Sequence, residues 1–175
     1  MQVLNSLVAT IFLLAGAAVS AASGTTQAPD NLSFPHLFSV DFEATGGGDS
    51  IAIPGGHRVL LIITDGVMKV SNGTTIATVQ PGGSSETGIL HDDGTFVVDA
   101  HVIVKFTDGH FGFLQLAGND ILNPVTGDGQ GFHRMQIETD SPEFSKYTSW
   151  FIVGQLLFSG TTGHIESYGA DPAAL

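Results

Sequence analysis

The residues best placed to do chemistry are polar side chains set inside apolar strands. Arg58 shares strand parity with Leu60 and Ile62 in the run His57 to Thr64, and His101 and Lys105 share parity with Ile103. Gln115 sits in the apolar segment Phe111 to Leu116. Facing an enclosed space, any one of His101, Arg58 or Gln115 offers a hydrogen-bond donor to a carbonyl or enone oxygen. One well-placed donor in a dry site contributes about 3–4 kcal/mol to a transition state. These three are the candidate catalytic residues, although only one face of a strand can enter such a space. Lys105, Arg134, Gln136, Phe113 and Trp150 are the candidate ligand-lining residues. The competing reading is structural: rows pointing outward are ordinary surface, Trp150 and the phenylalanines fill a core, and Asp99 pairs with Arg58 as a buried ion pair.

Several chemistries are not encoded. There is no cysteine among the 175 residues, so disulfides, thiolate nucleophiles and sulfur-ligated metals are excluded. No Gly-x-Ser-x-Gly elbow or Gly-Lys phosphate loop occurs. The seven histidines show no metal-binding spacing, and Gly127-Asp128-Gly129 offers calcium one carboxylate, so no metal and no cofactor are expected. Glu138 and Asp140 share a face, as a glycosidase pair would, but the favoured reading is a solvated strand end. Five basic residues stand against seventeen acidic ones, a net charge of −12. That field repels phosphate backbones and anionic lipid surfaces, so neither nucleic acid nor membrane is an expected partner.

The elements that must position these groups are strands. Asp99 to Leu116 reads as two strands joined by Asp108-Gly109, a dipeptide suited to a two-residue type I′ turn. That register pairs Val102 with Gln115, Val104 with Phe113 and Phe106 with Phe111, all on one face, and places His101 opposite Leu116. Further strands are expected at Leu37 to Phe42, His57 to Thr64 continuing at Val67 to Val70, Thr74 to Val79, Thr95 to Phe106, His133 to Thr139, Trp150 to Phe158 and His164 to Tyr168. Gly46 to Asp49 and the fourteen-residue stretch Gly118 to Gly131 read as loops. Ser141-Pro142 predicts one short helical turn over 142–147. The class is therefore all-β, an antiparallel barrel of about 8–10 strands rather than a sandwich.

Ahead of the barrel, the apolar run Leu7 to Val19 with Ser20-Ala21 predicts a secretory signal over 1–21. Cleavage after Ala21 leaves about 154 residues, enough for one domain that buries around 70% of its unfolded surface. Residues 22–36 read as a flexible leader, 37–169 as the barrel and 170–175 as a loose tail. The protein is expected to be secreted, with usable glycosylation sequons at Asn31 and Asn72 if the cell is eukaryotic.

A set of short pieces, in order, resembles the DUF3237 (UPF0311) family. They are Arg58 with Ile62-Ile63-Thr64-Asp65-Gly66, Val79-Gln80-Pro81-Gly82-Gly83, Val98-Asp99-Ala100, Thr107-Asp108-Gly109, Gly118, Pro142 with Phe144, and Leu157-Phe158 with Gly160. The resemblance covers roughly residues 37–168 and implies a lipocalin-like or calycin-like barrel. It departs at Asp65, at Ser85-Glu86-Thr87 where the family has Asp-Trp, at His101 where it has Arg, and at Trp150-Phe151-Ile152-Val153-Gly154. It implies a fold and carries no general catalytic assignment.

A barrel lumen with a few donors suits a small hydrophobic ligand. The expected function is a cofactor-independent cyclase or pericyclase, of the hetero-Diels–Alder kind, acting on a small hydrophobic secondary-metabolite intermediate. The alternative is a secreted, non-catalytic carrier of such a molecule, and homodimerisation is compatible with both. Both require an interior that the side chains do not fill.

Overall fold

The computed structural model describes residues 34–123 and 125–174. The expected signal segment, most of the leader and Asn31 lie outside the described residues. Ten strands carry almost the whole described chain: β1 (His36–Ile53), β2 (Gly56–Lys69), β3 (Thr75–Val79), β4 (Ser85–Glu86), β5 (Ile89–His91), β6 (Thr95–Phe106), β7 (Phe111–Leu122), β8 (Gly129–Thr139), β9 (Phe151–Ser159) and β10 (Thr162–Ala170). Every pairing is antiparallel. The order β1-β10-β9-β8-β7-β6 continues through β3, β4 and β5 to β2, and β2 pairs back onto β1. β3, β4 and β5 each bridge β2 and β6 in turn, as one broken strand. The sheet thus closes as an eight-position barrel, which removes the unpaired edges an open sheet would expose.

Alternation decides the interior. Along β6, Phe96, Val98, Ala100, Val102, Val104 and Phe106 are buried, whereas His101, Ile103 and Lys105 face out. Leu114, Leu116, Met135, Ile137, Ile152, Leu156 and Ile165 continue the same core around the barrel. Phe106 is at its heart, stacked on Phe144 at 4.4 Å between ring centroids. Phe144 belongs to the expected helical turn, which is a 3-10 turn over Ser145–Ser149. Ser141 is not its N-cap: Phe144 holds that position without a side-chain cap, and the Ser141 Oγ accepts from the Phe144 amide at 3.1 Å in the turn just ahead of it.

Three elements differ from the sequence expectation. The β6–β7 loop has three residues, with Phe106 N–H donating to His110 O at 2.8 Å and Gly109 at φ 93°. Val102 therefore pairs with Leu114, Ile103 with Phe113 and His101 with Gln115. A one-residue slip moves every side chain of a strand to the opposite face. Phe111, Phe113 and Gln115 are consequently on the outer wall, and Gly112, Leu114 and Leu116 on the inner one. Second, Gly46 to Asp49 lies within β1 at a register shift between the paired Gly46 and Ser50, and Asp65-Gly66 is paired strand within β2. Third, the expected loop Gly118 to Gly131 is mostly strand. β7 runs to Leu122 and β8 starts at Gly129, so only the segment between them turns.

Gly109 has open space where a Cβ would stand, so only its left-handed backbone constrains the position. Gly109→Ala is expected to cost about 1 kcal/mol through that backbone alone. Thermal unfolding of the two proteins checks it; equal midpoints would mean that the turn is not held in this conformation.

Candidate functional site

Two hollows lie along the barrel. The larger, about 1050 Å³, opens at the end built from the β7–β8 and β9–β10 turns and the middle of β1 and β2. Phe42, Val67, Ile121, Leu122, Leu157 and Phe158 give it apolar walls, and Asp41, Glu43, Asp65 and Asp128 an acidic rim. The smaller, about 40 Å³, lies inside the barrel among aliphatic side chains, with Glu86 and His133 its only ionisable lining residues. Phe42 lines both. Its ring lies over Gly163, where a Cβ would come within 2.1 Å of it, and stacks on Phe158 at 6.4 Å.

The inner hollow carries the chemistry. His133 and Asp120 are 2% and 3% exposed, and His133 Nε2 stands 2.8 Å from Asp120 Oδ1. An ionised carboxylate only accepts, so Nε2 carries a proton, and in the neutral imidazole Nδ1 is then a bare lone pair. That Nδ1 is buried and has no hydrogen-bond partner among the described residues, and neither has Glu86 Oε1. Glu86 points inward because it pairs opposite Ala100, whose own side chain is buried. Burial, then the neighbouring charge of Asp120, pushes its carboxyl up to about 7; the proximity of His133 acts in the opposite direction.

Two glycines make room for the dyad. Gly118 pairs with His133 and Asp120 with Gly131, so each polar side chain faces a glycine on the next strand. A Cβ on Gly118 would lie 2.8 Å from His133 Cδ2, and one on Gly131 would lie 2.0 Å from Asp120 Oδ1. Two residues apart on adjacent strands, His133 and Asp120 then meet on the diagonal.

On the outer surface, near the rim, a second polar chain runs Lys69–Asp41–His164–Glu166–His36, with contacts of 3.0, 2.7, 2.8 and 2.6 Å. Hydrogen bonds from His164 and then Lys69 hold Asp41 below the usual carboxylate range, and Asp41, then Glu166, raises His164. These groups tie β1, β2 and β10 together.

The residues singled out from the sequence are on the outer wall, except Trp150, which packs against the core. His101 stacks on Phe113 at 5.5 Å and stands 3.8 Å from Asp99. Arg58 is exposed and donates from Nη1 to Thr87 O at 3.0 Å; Asp99 is exposed, so the expected buried Arg58–Asp99 pair does not form. Gln115 lies between His101 and Gln136 in the ladder. Lys105 reaches over the Phe111 ring at 5.8 Å, and Arg134 and Gln136 alternate outward along β8. Trp150 is half-buried, edge-on to Tyr147 at 5.4 Å. Asn72 is exposed in the β2–β3 turn, its Oδ1 accepting from the Thr74 amide at 2.9 Å. None of His101, Arg58, Gln115, Lys105, Arg134, Gln136, Phe113 or Trp150 lines either hollow.

Fold and hollows together define a closed antiparallel β-barrel with a cup at one end and a buried acid–histidine cluster beneath it. No family model and no curated protein matches the sequence. Among solved structures the chain is similar to a β-barrel-like protein from Acinetobacter baumannii AYE, at 17% identity and TM-score 0.66, over 82% of this chain and 98% of that one. It is also similar to a conserved protein of unknown function from Rhodopseudomonas palustris, at 18% identity and TM-score 0.67, over 81% and 99%. An enzyme from Penicillium herquei matches at 16% identity and TM-score 0.57, over 80% and 97%. At these identities the likeness is one of fold.

Proposed function

We propose that this barrel, a relative of the DUF3237 proteins in the reading of its sequence, is a cofactor-independent cyclase or pericyclase acting on a small, mostly apolar molecule held in the cup. The observation that carries this reading is the cup itself: about 1050 Å³ walled by Phe42, Leu122, Leu157 and Phe158, opening above a buried cluster of ionisable groups. Concave apolar spaces with a few convergent polar groups are where small molecules bind, and holding a reactive conformer there lowers a ring-closure barrier without a nucleophile. Secretion is part of the proposal and rests on the apolar run Leu7 to Val19; export would present Asn72 on an exposed turn.

One observation favours the carrier reading. The inner hollow has only about 40 Å³, so nearly all the room is in the open cup, which binding alone can use. Turnover separates the two. A panel of apolar polyenes and enones is screened for binding by displacement of Nile red, an uncharged dye, and each binder is then followed by mass-resolved chromatography. A cyclised product formed only with protein supports the enzyme; saturable binding of unchanged ligand supports the carrier; no binding to the cup ends both. Leu157→Arg sets a charge at the outer lip of the cup, at an exposed position. It is expected to weaken dye binding at least tenfold with an unchanged melting temperature, and undiminished binding would place the ligand elsewhere.

A further inference from the structure

We infer that His133 and Glu86 are a base and an acid for proton transfer on an apolar carbonyl compound that bears an acidic C–H next to its carbonyl. The inference rests on the reading that the cup binds a small molecule, and it names which groups touch the reacting atoms.

Three observations meet at the inner hollow. His133 is 2% exposed, and its Nδ1 has no partner among the described residues. Leaving a buried polar atom unpaired is costly, so an atom from outside the protein is its natural partner. Glu86 Oε1 is in the same condition and lines the same hollow. Asp120, 2.8 Å from Nε2, fixes the tautomer that turns the bare nitrogen away from itself. Asp120 is thus a positioning residue. The remaining walls are Val40, Val98, Ala100, Leu116, Met135 and other apolar side chains, which leave the substrate no competing polar partner.

The size of the hollow limits what enters. A water needs roughly 10–15 Å³, so about 40 Å³ admits about three heavy atoms, the size of a carbonyl group and its neighbouring carbon. The apolar remainder stays in the cup, on the far side of Phe42, which borders both spaces.

The step balances within substrate and protein. The C–H bond beside the carbonyl breaks and its proton goes to His133 Nδ1. The bonding pair forms the new C=C bond, the C=O π pair moves to oxygen, and that oxygen takes the proton of the Glu86 carboxyl. The product is an enol, with His133 protonated and Glu86 ionised. Return of a proton from His133 to Glu86 restores both groups, so no oxidant, reductant or second substrate is consumed. A neutral carboxylic acid kept as a donor beside a separate base is an established arrangement for enolisation. An enol formed this way is also an electron-rich π system of the kind a ring closure needs.

The probe is 2-tetralone, an apolar bicyclic ketone with acidic C–H bonds, and the readout is exchange of its C–H protons for deuterium in D2O followed by NMR. Wild-type protein is expected to accelerate exchange above buffer. His133→Phe and Glu86→Gln are each expected to remove at least 99% of that acceleration while the saturation-transfer signal of bound 2-tetralone persists. Binding with exchange at the buffer rate overturns the acid–base inference and leaves the binding reading standing; absence of binding overturns both. Because His133→Phe alters a buried contact, 15N NMR of the wild-type imidazole supplies a second measurement. An unprotonated Nδ1 and a protonated Nε2 are expected, and a proton on Nδ1 overturns the assignment of the base.

Discussion

Gly118→Ala is expected to destabilise the barrel by about 3 kcal/mol and to dislodge His133 from Asp120. The added Cβ would lie 2.1 Å from Phe132 O on the neighbouring strand and 2.8 Å from His133 Cδ2. The first atom is backbone in a closed ladder and cannot yield without parting β7 from β8. The second belongs to a ring that is 2% exposed and hydrogen-bonded to Asp120. Overpacking of this kind costs about 1–3 kcal/mol and sometimes more, placing Gly118→Ala at the upper end. For a domain of this size that lowers the melting temperature by roughly 10 °C. Gly118 is not among the glycines with positive φ, so the effect is steric and not conformational. Gly82→Ala is the matching control: its φ is 85° and nothing stands within 4 Å of its Cβ position, so only the backbone effect, about 1 kcal/mol, is expected. Equal losses in the two variants would show that Gly118 is not opposed by His133 in the barrel.

That pair of glycines also shows how much the sequence discloses. Short apolar-rich runs such as Thr95 to Phe106 and Trp150 to Phe158, bounded by turn residues, announce strands, and their number and close spacing announce a barrel. Register does not follow so directly. Asp108-Gly109 suits a two-residue turn as well as a three-residue one, and the choice of the second exchanges the faces of Phe111, Phe113 and Gln115. Gln115 thereby leaves the interior, while His101 and Arg58 lie outside for the simpler reason that the alternate residues of their strands are the buried or paired ones. The cluster that does face inward was hidden in a glycine-rich stretch resembling a loop. A usable signal was present: Gly118-Asn119-Asp120 and Gly131-Phe132-His133 repeat one Gly-x-polar pattern in the same chain direction, so an antiparallel pairing sets each glycine against a polar residue. Glu86 gave no signal, because β4 is two residues long and too short for any period to register.

Glu86→Gln is expected to flatten the dependence of stability on pH between about 4 and 8 by about 3 kcal/mol. The carboxyl ordinarily ionises near 4.5 and in the folded barrel near 7. Below pH 4 it is protonated both folded and unfolded and has no effect on the balance. Between 4.5 and 7 the unfolded chain releases the proton while the folded chain keeps it, so every rise in pH favours unfolding. Above 7 both states are ionised and the loss levels off at about 3 kcal/mol, the free energy equivalent to moving the carboxyl from 4.5 to about 7. Asp41 and Glu166, held below their usual range, act in the opposite sense at lower pH, and His164, raised, adds a further loss above its ordinary 6.5. Only the difference between wild type and Glu86→Gln isolates one carboxyl from these. Urea unfolding at pH 4, 5, 6, 7 and 8 measures it: the variant should gain on wild type steadily across the range, and parallel curves would mean that Glu86 ionises as an exposed carboxylate does. A steady gain has a meaning beyond stability. It would show that the folded barrel keeps the Glu86 proton up to about neutral pH, which the proposed acid role requires.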